Sequence, residues 1–253
     1  MKRLLITVCG RAGSKGFRNK NLKTFCEKPL VYYTLSAAML FKAARPDVAV
    51  DICLNTDSAL LVELVKAKYP EVTYIQREAA LSGDTVPKMA VFQQSLREME
   101  AKLNRKYDYV MDLDITSPLR TAKDVQNAFE MKEKRADLDL VFSVTESRRN
   151  PYFNMVKAVG DHVEKVITST FTARQQAPEI YDLNASIYVF ERNFLAANKT
   201  GILWDGKIGV SQMMDTGILD IDSEEDFRLM EVIANYLYAE YPDFKAVREG
   251  IRK

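Results

Sequence analysis

The sequence of 253 residues holds one histidine, one tryptophan and three cysteines. The histidine, His162, follows Gly160-Asp161, a composition that places it in a solvated turn. Serine–histidine hydrolysis and a histidine-ligated zinc are therefore poor fits. Cys9, Cys26 and Cys53 lie in or beside apolar strand-like runs and show no metal spacing. A sparse, odd count suits a reducing compartment, so a cytoplasmic location is expected. No apolar run approaches the ~18 residues of a membrane span, and Leu4 to Cys9 is too short for a signal-peptide core. No membrane partner is expected. Basic and acidic residues nearly cancel, 36 against 35, which excludes the global basic field of a nucleic-acid-binding protein. Repeats and low-complexity tracts are also missing.

What is present is a strand–helix alternation, with 47 % apolar residues to fill a core. Length and composition suit one domain over 1–253. Leu4 to Cys9, Val48 to Leu54, Val72 to Ile75, Tyr107 to Leu113 and Leu138 to Val144 read as short buried strands. Leu30 to Ala44, a segment capped within Asn55–Ser58 and running to about Lys68, Val86 to Leu103 and Ala122 to Lys134 read as helices. The rhythm predicts an α/β fold, a mostly parallel doubly wound sheet of Rossmann-like type. Ligands of such sheets bind beyond the carboxyl ends of the strands, which is where the loops at Gly10, Asn55 and Asp114 fall.

The alternation breaks over 147–183. Tyr152 to Val159 and Val163 to Thr168 flank Gly160-Asp161, a hairpin signal. A polar stretch follows, and strand character returns at Ile187 to Phe190. This excursion is either a subunit contact or a surface flap. A last helix is expected from about Ser223 to Ala239, opened by a capping pattern.

The segment Gly10-Arg11-Ala12-Gly13-Ser14-Lys15-Gly16-Phe17-Arg18-Asn19-Lys20-Asn21 leaves the first strand directly. Its glycines let backbone amides approach a ligand, and Arg11, Lys15, Arg18 and Lys20 supply positive charge, a combination suited to a polyphosphate. The spacing fits neither the dinucleotide fingerprint nor the P-loop. The alternative is an exposed basic loop. In Ile218-Leu219-Asp220-Ile221-Asp222, alternation puts both carboxylates on one side, suiting Mg²⁺ held between protein and nucleotide; Asp222 as a helix cap is the alternative. Met111-Asp112-Leu113-Asp114-Ile115-Thr116-Ser117-Pro118-Leu119-Arg120 places carboxylates at a strand end. Buried there, they need partners, unless they merely cap the helix that follows.

Together these segments resemble the acylneuraminate cytidylyltransferases, which make CMP-activated sialic acids. Arg11-x-Gly13-Ser14-Lys15-Gly16 with Lys20-Asn21 matches the signature loop. Thr116 to Arg120, Arg77 with Asp84-Thr85, Arg174-Gln175-Gln176, Asn184 to Tyr188 and Asp220-x-Asp222 follow in order. The resemblance implies transfer of a cytidylyl group from CTP to a nonulosonic acid, with Mg²⁺ as cofactor and a homodimer formed through the excursion. It implies that Arg11, Gly13, Ser14, Lys15, Gly16 and Lys20 hold the phosphates, with Arg11, Lys15 and Lys20 catalytic. Asn21 and Arg77 would read the cytosine and ribose, and Asp220 and Asp222 would hold the metal. Asp114, Arg174, Gln175, Asn184 and Tyr188 would face the sugar acid. The chain departs from the family at Asp114, where a glutamine is usual, and at Asp182, near a usual arginine. Two carboxylates on the sugar would favour donor-rich groups over acylated ones, unless Asp114 pairs with Arg120 or Arg174. A 3-deoxyoctulosonate cytidylyltransferase and a silent nucleotide-sugar binding protein are the rival functions.

Overall fold

The computed structural model describes residues 1–13, 17, 19–83, 86–217 and 220–252. In chain order the strands are β1 (Lys2–Cys9), β2 (Thr24–Phe25), β3 (Lys28–Pro29), β4 (Val48–Thr56), β5 (Thr73–Gln76), β6 (Tyr109–Leu113), β7 (Leu140–Glu146), β8 (Val156–Val159), β9 (His162–Lys165), β10 (Tyr181–Glu191) and β11 (Ile208–Gln212). The α-helices are α1 (Leu30–Ala44), α2 (Ala59–Lys68), α3 (Lys88–Leu103), α4 (Ala122–Lys134), α5 (Arg192–Ala197), α6 (Glu224–Glu240) and α7 (Pro242–Glu249).

Seven strands form one sheet in the order β11-β7-β10-β6-β1-β4-β5. β1 is parallel to β4 and β6, β4 to β5, and β7 to β11. β10 alone runs antiparallel, between β6 and β7. The alternation of β1 shows why the strand reads as a continuous apolar run. Leu4, Ile6 and Val8 enter one core, shared with α1, α4, α6 and α7, and Leu5 enters the other, shared with α3 and α5. Both faces are covered by helices, so the strand has no wet side. The sheet is thus the mostly parallel, doubly wound one that the sequence predicts.

Three helix starts follow the capping chemistry. Ser58 Oγ accepts from Leu61 N at 3.3 Å. Thr121 with Asp124, and Ser223 with Asp226, form reciprocal capping boxes. These assignments decide two open readings. Ser223, not Asp222, caps α6, and Thr121, not Asp112 or Asp114, caps α4.

β10 carries a bulge between Leu183 and Tyr188. Asn184 Oδ1 accepts from Ser143 Oγ at 2.5 Å and from Ser186 N at 3.2 Å, and Ala185 takes a left-handed φ of 52°. The bulge aims the Ser186 carbonyl at Asp114 N, 3.1 Å away. The hairpin in the excursion is β8–β9, turned at Gly160 with φ 61°; its strands are shorter than the sequence suggests. The excursion is also shorter. Tyr181, Asp182 and Leu183 pair with β7 and belong to the main sheet. β2, β3, β11, α5 and α7 carry no local signal in the sequence strong enough to predict them.

Candidate active site

The parallel strands β1, β4, β5 and β6 end along one edge, and beyond their carboxyl ends lies a cavity of about 600 Å³. Arg11, Lys20, Asn21, Arg77 and Lys88 line it, together with the carboxylates of Asp112, Asp114, Asp220 and Asp222. Ser14, Lys15, Gly16, Arg18, Asp84 and Thr85 lie outside the described residues.

The loop after β1 is held by its own backbone. Gly10 N donates to the Asn55 carbonyl at 3.1 Å. A Cβ on Gly10 would sit 2.8 Å from Ile115 Cδ1 and 2.9 Å from Leu61 Cδ2, so a side chain there would force these two buried side chains to move. Ala12 N donates to Asp57 Oδ1 at 2.6 Å, Asn21 Nδ2 donates to the Arg11 carbonyl at 3.1 Å, and Gly13 adopts φ 71°. Asn21 is buried, and one of its amide hydrogens holds the loop. Lys20 Nζ donates to the Ile221 carbonyl at 2.7 Å and reaches Asp222 Oδ1 at 3.3 Å. The loop and the carboxylate segment before α6 therefore meet across the cavity.

Arg77 is buried at the end of β5. Its Nε donates to Asn55 Oδ1 at 2.9 Å and its Nη2 to the Asn55 carbonyl at 3.1 Å. Asn55 in turn donates to Gln94 Oε1 and Ser95 Oγ. This chain of side chains fixes the guanidinium plane before any ligand arrives.

Among the carboxylates, Asp112 Oδ1 accepts from Thr7 Oγ1 at 2.7 Å. Burial pushes the Asp112 carboxyl up to about 6, against the pull of the Lys88 charge. Asp114 Oδ1 accepts from Thr116 N at 2.8 Å and Thr116 Oγ1 at 2.7 Å. Asp114 Oδ2 pairs with Lys88 Nζ from the first turn of α3. Burial opposes the Asp114 charge, but the Lys88 ammonium and these hydrogen bonds outweigh it and hold the carboxyl well below its usual range. Lys88 is held up in turn by the Asp114 charge. Asp220 is pushed up by burial and by the Asp114 charge.

Arg120 is also fully buried, yet it does not pair with the Asp114 carboxylate. It donates to the Asp114 and Ser186 carbonyls, to Ser186 Oγ at 3.2 Å and to Thr34 Oγ1 at 2.8 Å. Asp182 lies opposite Thr145 in the sheet and does not line the cavity. The expected gain of two negative charges at the sugar is thus corrected: one carboxylate is elsewhere and the other has a cation.

Of the remaining sugar-side candidates, Tyr188 alone lies beside this cavity. It pairs with Asp112 across the sheet, its ring lies 6.3 Å from that of the cavity-lining Phe92, and burial pushes its phenol up to about 12. Asn184 is buried in the bulge, its amide donating to Met213 Sδ at 3.4 Å. Arg174 and Gln175 line a separate cavity of about 470 Å³, where Arg174 donates to the Ser147 carbonyl at 2.8 Å and to Glu146 at 3.4 Å. Lys88 and Asp112 went unassigned in the sequence. The spacing of Asp112 and Asp114 was a usable signal, the same alternation that singles out Asp220 and Asp222. Lys88 carries none, because only the fold brings α3 to β6.

Comparison with known proteins agrees with this geometry. Residues 5–240 match the cytidylyltransferase family profile. The chain is 33 % identical over 244 residues to the CMP-N,N'-diacetyllegionaminic acid synthase of Campylobacter jejuni, covering 96 % of this chain and 100 % of that one. It is 27 % identical to the N-acylneuraminate cytidylyltransferase of Streptococcus agalactiae, covering 97 % of this chain and 55 % of the relative. Among solved structures, a CMP-2-keto-3-deoxy-manno-octonic acid synthetase complexed with CTP superposes with a TM-score of 0.65 at 13 % identity, over 93 % of this chain and 99 % of that one; at that identity the likeness is one of fold. A profile match across nearly the whole chain, on a sheet whose strand ends carry this cavity, shows that the protein belongs to the cytidylyltransferase family.

Proposed function

We propose that this protein transfers the cytidylyl group of CTP to a sialic-acid-like nonulosonic acid, giving a CMP-sugar and pyrophosphate. The observation that carries this reading is the mixed lining of one cavity of about 600 Å³: the cations Arg11, Lys20 and Arg77, and the carboxylates Asp112, Asp114, Asp220 and Asp222. A nucleoside triphosphate needs the first group, and a hydroxyl-rich sugar beside a cation needs the second. The names of the Campylobacter and Streptococcus relatives support a nonulosonic acid. The 3-deoxyoctulosonate alternative has only the likeness of fold behind it.

In this reading Arg11 and Lys20 hold the phosphates, together with Lys15, Ser14 and the amides of Gly13 and Gly16. Arg77 and Asn21 frame the nucleoside. The anomeric oxygen of the sugar acid attacks the α-phosphorus, the bond from that phosphorus to the bridging oxygen breaks, pyrophosphate leaves, and the hydroxyl proton is released. Most of the rate then comes from alignment and from cations set around the departing charge. Asp220 and Asp222 both line the cavity, and among the described residues no group of three or more carboxylate, cysteine or histidine side chains could hold a metal ion. Such a donor set fits Mg²⁺, which binds through one or two carboxylates and completes its shell with phosphates and water. Bound there, Mg²⁺ would offset charge on the nucleotide and on the pyrophosphate.

The exposed apolar side chains of the excursion, Met155, Val156, Val163, Val166 and Ile167, support its role as the contact of a homodimer. Such a contact would bring a second copy of Arg174 and Gln175 near a shared sugar site. Among the described residues no helix is long and apolar enough to cross a membrane, and the three cysteines are unpaired; both suit work in the cytoplasm. The test is pyrophosphate release from CTP and Mg²⁺ with N,N'-diacetyllegionaminic acid, N-acetylneuraminic acid and 3-deoxyoctulosonate in parallel. Turnover with a nonulosonic acid supports the reading. Tight CTP binding without turnover of any sugar would identify a silent binding protein.

A further inference from the structure

The ion pair between Lys88 and Asp114 is a recognition element rather than a simple clamp. The geometry points to this pair as the reader of one unsubstituted hydroxyl of the sugar acid, and Lys88 as a specificity-determining residue. This inference rests on the cytidylyl-transfer reading.

The hydrogen-bonding capacity of the two groups leads to it. A carboxylate offers about four acceptor sites and an ammonium three donors. Asp114 Oδ1 takes two bonds from Thr116 and Oδ2 takes one from Lys88. One lone pair on Oδ2 remains, and two N–H groups on Lys88. Both residues line the cavity, and the Lys88 side chain is 54 % exposed against 12 % for Asp114. The site therefore presents an acceptor and a donor side by side, with their charges cancelled. A single hydroxyl satisfies both from one oxygen, donating to Oδ2 and accepting from Nζ. A trans secondary amide cannot, because its N–H and C=O point in opposite directions. An ether or ester oxygen at the same place accepts from Lys88 but leaves Oδ2 facing an acceptor.

The surroundings sharpen the choice. Lys88, Val91 and Phe92 share one face of α3 at i, i+3 and i+4, and all three line the cavity. On the α3 side the pair thus sits beside an apolar wall, formed by Val91 and Phe92, that itself offers no hydrogen bond. A site of this kind rejects an analogue lacking its hydroxyl far more strongly than a site that merely gains or loses a methylene.

The experiment uses the full-length enzyme with CTP, Mg²⁺ and N,N'-diacetyllegionaminic acid, and with analogues in which each non-anomeric hydroxyl is removed or methylated in turn. For the wild type, one position is expected to stand out, with kcat/KM lowered at least ~100-fold by either change. In Lys88→Met that discrimination shrinks to within about 10-fold, while the affinity for CTP measured by calorimetry stays within about threefold. Lys88→Arg keeps a donor and a charge and restores part of the discrimination. A purely structural clamp would lower kcat/KM for every analogue in proportion and leave the ratios unchanged. Unchanged ratios in Lys88→Met overturn the inference alone, as does a flat profile for the wild type, which needs no variant to fold. Failure of the wild type to turn over any nonulosonic acid overturns the inference together with the functional reading beneath it.

Discussion

Lys20 Nζ lies 3.3 Å from Asp222 Oδ1 and 2.7 Å from the carbonyl of Ile221, so two segments some 200 residues apart in sequence close on one another over the cavity. Both groups line the cavity in which a phosphate–metal assembly would need them. Lys20 and Asp222 are then expected to separate when CTP and Mg²⁺ bind, each passing to a stronger partner. A structure of the CTP complex tests this, through the Lys20–Asp222 distance.

The paired aspartates give the second prediction. Asp220→Asn and Asp222→Asn each lower kcat at limiting Mg²⁺ by roughly 100-fold or more, because a neutral amide is a weak ligand for a hard cation. Both variants keep the fold, since α6 is capped by Ser223 and Asp226. Initial rates across a Mg²⁺ titration, beside a melting curve, decide it. Near-normal turnover of both variants at limiting Mg²⁺ would remove the metal from these residues.

The loop cations give the third. Arg11→Ala and Lys20→Ala raise KM for CTP more than KM for the sugar acid, because both side chains extend from the loop after β1 or its short helical end. Two-substrate kinetics separate the two constants. Equal changes in both would mean that these cations do not meet the triphosphate.

Asp112 sets up a pH dependence. Its folded carboxyl sits at about 6, above the ordinary range near 4, chiefly through burial. The native state therefore binds the proton more tightly than the unfolded chain. Stability falls as pH rises from about 4 to about 6 and is level above that, with the cost of the buried charge fully present at neutrality. Asp112→Asn removes the charge and keeps an acceptor for Thr7. It is expected to stabilise the protein by roughly 1–3 kcal/mol at pH 8 and by much less at pH 4.5. Urea unfolding at the two pH values checks this, and equal effects at both would contradict it.

Arg120 carries the opposite expectation. Its guanidinium is fully buried and joins the Asp114 and Ser186 carbonyls to Thr34. Arg120→Met strands these acceptors and costs about 3–5 kcal/mol. Arg120→Lys does not restore it, because one ammonium cannot span four acceptors held by a planar fork. Chemical unfolding of both variants is the measurement.

Much of the fold could be read in the sequence, because its local signals agree with one another. The helix from Leu30 to Ala44 begins just after Pro29, and that from Ala122 to Lys134 falls where its capping residues place it. Gly10 to Asn21 reads as a ligand loop because glycine and cation chemistry is local. What the sequence hid is non-local. β10 runs antiparallel although its run Ile187 to Phe190 looks like any buried strand, since strand direction depends on where the chain returns. β11, with Gly209 in it, has weak strand character and is fixed by pairing with β7. The partner of Asp114 proved to be Lys88, 26 residues upstream, and no spacing rule links the two. The sugar half suffers most from this, because Arg174 and Gln175 lie on a segment outside the main sheet and face their own cavity.

The most direct test of the central claim is to incubate the purified protein with CTP, Mg²⁺ and N,N'-diacetyllegionaminic acid and to follow the reaction by phosphorus NMR. The cavity predicts loss of the triphosphate signals with equal gain of pyrophosphate and a phosphodiester, the CMP-sugar, and no reaction when the sugar acid is left out. Absence of the phosphodiester with this and every other nonulosonic acid, while CTP is bound, would contradict it.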